Sequence, residues 1–145
     1  MASPKSLRVF VDSDVIISSL ISTSGAAFTL LHDTKGIELY ASNFSISELE
    51  KVVSRLHLES NRLHETIRAH FATVEIGLPY EEIQLQFAEY TRDTDDTHIV
   101  AGAKESKATF LISYNIRHFE AEKLTQDFQI TLLTPGLFLQ YLRSL

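Results

Sequence analysis

The sequence contains no cysteine. Disulfides, thiolate nucleophiles and thiolate metal sites are therefore excluded, and the lack fits a reducing compartment. No apolar run approaches the ~20 residues needed to span a bilayer. The opening MASPKSLRVF lacks the apolar core of a signal peptide. A cytoplasmic protein without a membrane partner is the expectation. The six histidines form no H-x-x-x-H or H-E-x-x-H pair, which speaks against a zinc hydrolase. His32, His57, His64 and His70 read as surface or helix-flank residues, whereas His98 and His118 lie nearer the acidic segments considered below. Positive charge is also short, with 13 Lys and Arg against 19 Asp and Glu and a net charge of −6. Taken alone this argues against a nucleic-acid partner, because phosphate neutralisation draws on Lys and Arg. Carboxylates that converge on a divalent cation would reverse the sign locally.

What is present is a regular alternation of strand and helix patterns. Leu7–Asp12 is a short β-rich run that gives way to a helical pattern from Ser13. That pattern pauses at Thr23-Ser24-Gly25, resumes over Ala26–His32 and breaks at Lys35-Gly36. Ile37–Ala41 reads as a second strand. Ser45–Leu56 reads as a helix with Ile46, Leu49, Val52, Val53 and Leu56 on one face. Further helices are expected over Asn61–Ala72, Glu81–Tyr90 and Thr94–Ser106, with a minor strand at Val74–Ile76. The nearly all-apolar Thr109–Ser113 has the character of a buried parallel strand. Ile130–Leu133 is the last strand, and Pro135-Gly136 opens a closing helix. The expectation is one α/β domain over 1–145, with a mostly parallel sheet of four to five strands covered on both faces. In such sheets ligands bind beyond the carboxyl ends of the strands, at a topological switch point. Asp12 and Asn115 both fall at such ends.

The acidic residues have structural as well as chemical readings. Asp12 and Asp14 flank Ser13; one of them could cap the following helix, but a cap accounts for one acid rather than two. Ser45-Ile-Ser-Glu48 fits a capping box, with Glu48 reaching back to the Ser45 amide. The same placement puts a carboxylate on the ligand-binding side of the sheet. Asp93, Asp95 and Asp96 crowd the start of a helix; the helix dipole favours one or two acids there, and three so close repel. A bound cation would relieve that repulsion. Asp12, Glu48 and Asp96 together form an oxygen-only set suited to Mg²⁺ or Mn²⁺.

At this point the sequence resembles the PIN-domain nucleases, in particular the VapC-like toxins of toxin–antitoxin pairs. VFVDSDVIISSLISTSGAA is similar to the family's opening strand and Asp-[Thr/Ser]-Asn-Val motif, ISELEKVV to its second motif, and DTDDTHIVAGAKESKATFLISYNIRHF to its third block. Asp14 stands where the family more often has Asn. Asn115 occupies a position that is Asp in many relatives. The resemblance implies a three-layer α/β/α fold and a metal-dependent endoribonuclease that hydrolyses RNA with metal-activated water. Asp12, Glu48 and Asp96 would be the catalytic acids and, with Asn115, the ligands of one or two Mg²⁺ or Mn²⁺ ions. Ser13, Asp14, Asp93 and Asp95 would support them, and Lys104, Lys107 and Arg117 would contact RNA phosphates. A cognate antitoxin and a homodimer are further implications. Two alternatives stand beside this one. A degenerate PIN-like module would bind RNA or protein without cutting. VDSDV also resembles the opening of haloacid-dehalogenase-type phosphatases, with Asp12 as nucleophile, although Ile16 then replaces the family's Thr or Val.

Overall fold

The computed structural model describes residues 6–145. Its centre is a five-stranded sheet of β1 (Leu7–Val11), β2 (Ile37–Ser42), β3 (Phe71–Val74), β4 (Phe110–Ile112) and β5 (Thr131–Leu133). The spatial order is β3-β2-β1-β4-β5, and every pairing is parallel. The described residues also form eight α-helices, seven between strands and one after the last: α1 (Ser13–Ile21), α2 (Ala26–His32), α3 (Asn43–Arg55), α4 (Ser60–His70), α5 (Tyr80–Phe87), α6 (Thr97–Glu105), α7 (Ala121–Phe128) and α8 (Pro135–Arg143). No single helix among the described residues is long and apolar enough to cross a membrane.

Alternation along the strands builds two cores. Val9, Val11, Leu39, Phe110 and Ile112 project into one, where Val15, Ile16, Leu30, Leu49, Leu63 and Phe138 meet them. Phe10, Leu111 and Leu132 project to the other side, against Ile83, Ile99, Val100 and Leu124. A sheet buried on both faces requires apolar residues at consecutive positions. That is why VFV in β1 and FLI in β4 are unbroken, and it makes the three-layer α/β/α arrangement a direct consequence of the sequence.

α6 lies unusually close to β1. Gly102 on α6 is buried, and a Cβ there would overlap Cζ and Cε2 of the fully buried Phe10 ring. Only glycine lets the helix backbone approach the strand this closely. The approach matters for the site, because α6 begins immediately after Asp96.

The chain leaves β1 toward β2 on one side, and β4 enters on the other. The crevice between the carboxyl ends of β1 and β4 is the topological switch point. The backbone amide of Asp12 donates to the carbonyl of Ile112 across it at 2.9 Å, which fixes the end of β1 to the end of β4.

Several expected boundaries move. α3 begins at Asn43, not Ser45, because the buried Ser42 hydroxyl caps it by accepting from the Ser45 amide at 3.1 Å. Glu48 is therefore in the second turn and takes no part in a capping box. The third strand lies at Phe71–Val74 rather than Val74–Ile76. It is an edge strand that starts directly where α4 ends, with no turn residue to mark the junction. The expected helix from Thr94 is divided into a 3-10 turn (Thr94–Asp96) and α6. α7 was not expected at all: Leu124 is its one buried residue, too sparse a pattern to reveal a helix.

Candidate active site

Asp12 sits one residue beyond β1 and forms the N-cap of α1. Its Oδ1 accepts from the Ser13 amide at 2.7 Å, and its Oδ2 accepts from the Ser113 hydroxyl at 2.8 Å. The capping interpretation of DSD thus applies to Asp12 itself. A cap alone does not explain its electrostatics. Burial first, and then the neighbouring Asp14, push the Asp12 carboxyl from 3.8 up to about 8. Hydrogen bonds from Ser113 and the Ser13 amide oppose this rise, and the charge of Asp96 adds to it.

Asp14, in the first turn of α1, is tied to the segment after β4. Its Oδ2 accepts from the Tyr114 amide and the Asn115 side-chain amide, each at 3.0 Å. Its Oδ1 is buried without a partner. Burial raises its carboxyl as well, against the backbone donation from Tyr114. The Asn115 amide nitrogen faces Asp14, so this residue orients a neighbouring carboxylate. Ser113, fully buried, connects the group: it donates to Asp12 and accepts from the Asn115 amide at 2.9 Å.

Glu48 and Asp96 are each held by a histidine. His98, the second residue of α6, is 4% exposed and places Nε2 at 3.1 Å from Glu48 Oε2. That contact holds the Glu48 carboxyl below its ordinary range against the opposing effect of burial. The Ser13 hydroxyl is buried without a hydrogen-bond partner, and its proximity also favours charged Glu48. Asp96 Oδ2 lies 3.2 Å from His118 Nδ1. Burial raises the Asp96 carboxyl, and His118 opposes that rise.

The remaining acids divide by role. Asp93 caps the 3-10 turn, accepting from the Asp95 amide at 2.9 Å. Asp95 is exposed and accepts from the Tyr80 hydroxyl at 3.2 Å. Arg117 is carried by the turn after β4, beside His118. Lys104 and Lys107 are not at the strand ends that carry these acids: α6 runs back along the sheet, and both lie near its C-terminal end, where the chain enters β4. Lys104 rests over the rings of Phe87 and Phe128. Sequence reasoning missed Ser113, whose visible signal is a hydroxyl closing an otherwise apolar strand.

The four acids influence one another but form no closed cage. Among the described residues, no three His, Asp or Glu groups are positioned to hold a metal ion together. Nor does any Lys or Arg among the described residues make an ion pair with Asp12, Asp14 or Asp96. The site is thus the buried Asp12 beside the half-buried Asp14, with two further acids nearby and no Lys or Arg partner among the described residues. Ser113→Ala should expose the role of the connecting hydroxyl. Were the crevice to hold a divalent cation, losing such an outer partner would weaken its affinity about 10- to 100-fold, which a Mn²⁺ titration of the variant would measure.

A profile of the PIN domain matches residues 8–117. The sequence matches none of the curated proteins. Among solved structures, the fold is similar to VapBC2 from Rickettsia felis bound to a DNA fragment from its promoter, with a TM-score of 0.60 and 12% identity over 87% of this chain and 97% of that one. It is also similar to Mycobacterium tuberculosis VapC20, a toxin that cleaves the sarcin-ricin loop, with a TM-score of 0.52 and 14% identity over 83% of this chain and 95% of that one. The profile spans most of the chain, from β1 to the turn after β4, and the acids found at the switch point lie within it. The chain belongs to the PIN domain family.

Proposed function

We propose that this protein, acting as one PIN-like domain over 1–145, is a metal-dependent endoribonuclease and the toxin of a toxin–antitoxin pair. The observation that carries the reading is Asp12: a buried carboxyl raised to about 8 by its surroundings, beside Asp14 and without a Lys or Arg partner among the described residues. A divalent cation supplies the missing countercharge. The donor set suits Mg²⁺ or Mn²⁺, being all oxygen, and the unpartnered Asp14 Oδ1 leaves a buried acceptor available. The absence of a closed cage is compatible with Mg²⁺, which usually keeps several waters and uses one or two carboxylates plus substrate phosphates. Asp12 and Asp14 would hold the ion, with Asp96 and Glu48 nearby. Such an ion, when bound, lowers the pKa of a water for attack on phosphorus and stabilises the leaving oxygen.

The chain's own residues orient the site. Ser113 fixes both Asp12 and the Asn115 backbone; Tyr114 and Asn115 fix Asp14. His98 aims Glu48 and His118 aims Asp96. Arg117, exposed on the adjoining turn, would meet an RNA phosphate. The cognate antitoxin, a homodimer and a cytoplasmic location belong to the same proposal. Likeness to the two toxin structures supports the antitoxin. Family membership sets the phosphatase alternative aside, and a non-cutting module would not need Asp12 and Asp14 side by side with no Lys or Arg partner among the described residues.

The test is incubation of the purified chain with a mixed RNA pool and Mn²⁺ or Mg²⁺. Cleavage is expected with metal and should stop on chelation. Cleavage that persists equally in chelator would refute the reading.

A further inference from the structure

Beside the acidic crevice lies a cavity of about 570 Å³, lined by Phe44, Glu48, Lys51, Tyr80, Asp95 and His98. Glu48, Lys51, Asp95 and His98 lie within the sequence motifs, whereas Phe44 and Tyr80 lie outside them. The Phe44 and Tyr80 rings are tilted by 35° with centroids 5.9 Å apart, and the His98 ring lies 6.2 Å from Phe44. Three rings therefore lie along one opening. Its wall includes Glu48, which the catalytic crevice also uses. Tyr80 is held in place by its hydroxyl, which donates to Asp95.

We infer that this cavity is a nucleobase subsite, receiving an unpaired base of the RNA strand next to the bond presented to Asp12 and Asp14. The inference rests on the nuclease reading above and adds the substrate feature that the site would grip. A phosphate and its base are covalently one unit, so a strand passing along Glu48 delivers a base to this wall. The volume lies within the 300–1,000 Å³ of ordinary ligand sites. The lining has the elements of single-strand recognition, aromatic faces for the base and a cation for the backbone. Lys51, exposed and one turn beyond Glu48 on α3, is the cation. Phe44 and Tyr80 are too close together for a base to slide between them, since that needs two stacking distances, about 7 Å. The base therefore stacks on one face, and half-buried Tyr80 offers it, because Phe44 packs against the core. Base stacking on an aromatic ring tolerates every base. The subsite thus selects single-stranded over paired RNA rather than one sequence.

The experiment is an abasic scan. An end-labelled 2′-O-methyl hexanucleotide, and six versions each abasic at one position, are titrated against the protein in Mg²⁺ by fluorescence anisotropy. Each oligonucleotide is checked for integrity afterwards. At one position the missing base should weaken binding to the wild-type chain by roughly ten- to a hundredfold. Tyr80→Phe should keep that sensitivity and Tyr80→Leu should lose it. If no position is sensitive on the wild-type chain, or if Tyr80→Leu keeps the same sensitive position, the subsite is overturned and the cavity is left to a protein side chain. The wild-type scan needs no variant to fold. Its result is also separable from the cleavage reading: a sensitive position without metal-dependent cleavage would refute the nuclease and retain the base site. Cleavage without a sensitive position would do the reverse.

Discussion

Asp12→Asn should abolish RNA cleavage and, in the absence of metal, make the protein more stable. The two effects have one cause. In the fold, burial and the charge of Asp14 hold the Asp12 carboxyl at about 8, whereas the unfolded chain leaves it near 3.8. Between those values the native state binds a proton that the unfolded state has released. Stability therefore falls as pH rises through that window. Asp14 and Asp96 are raised too and act in the same direction. Asn keeps the shape of Asp12 and an oxygen for the Ser13 amide, while Ser113 can turn its hydroxyl toward Asp14. Removing the charge should add on the order of a few kcal/mol near pH 8. At about 2–4 °C per kcal/mol, that is a clear rise in Tm. The gain should shrink as pH falls toward 4. Activity should drop by more than about a hundredfold, because polarisation of the phosphate and water by metal is worth several kcal/mol. Thermal melts in chelator at pH 5 and pH 8, beside a cleavage assay, check both halves. A variant that melts below the wild type at pH 8 would contradict the electrostatic account.

Gly102→Ala should damage the fold and, through it, the site. The added methyl overlaps the Phe10 ring, which is fully buried and cannot swing into solvent. Overpacking of this kind costs about 1–3 kcal/mol. The gain in helix propensity from glycine to alanine returns up to about 1 kcal/mol where the site is unstrained. The net expectation, about 1–2 kcal/mol, is a Tm lower by about 2–8 °C. α6 carries His98 and follows Asp96, so lifting it from β1 also moves the partner of Glu48. Cleavage should fall further than stability alone explains at a temperature where the variant is still folded. Phe10→Leu in the same chain shortens the obstructing ring and should restore part of the loss, since contacting residues couple. A Gly102→Ala chain with wild-type melting and activity would show that α6 does not need this close approach.

These expectations depend unequally on sequence and structure. The strand–helix order was readable because a sheet covered on both faces imposes near-continuous apolar runs, and LRVFV and FLI are such runs. Edge strand β3 was displaced because its exposed positions carry no such pattern, and α7 was missed because it buries so little. The acids were legible one by one, from their positions at strand ends and helix starts. Their partners were not. Ser113 lies 101 residues from Asp12, and His98 lies 50 residues from Glu48. No local pattern announces contacts at that separation. The role of Glu48 changed for the same reason. Ser45-x-x-Glu48 is a valid local motif, but Ser42 was better placed by β2 to cap α3, which released Glu48 to face His98. Lys104 and Lys107 looked close to the acids in sequence, yet the length of α6 carries them away. Phe44 and Tyr80, 36 positions apart, became one cavity wall only through the fold.

The chemistry assigned to the Asp12–Asp14 crevice is tested most directly by the ends of the RNA fragments it produces. Hydrolysis by a metal-activated water leaves a 5′-phosphate and a 3′-hydroxyl. Those ends, formed with Mn²⁺ or Mg²⁺ and absent with Asp12→Asn, are the predicted result. Fragments ending in a 2′,3′-cyclic phosphate would show that the ribose hydroxyl is the nucleophile and would contradict it.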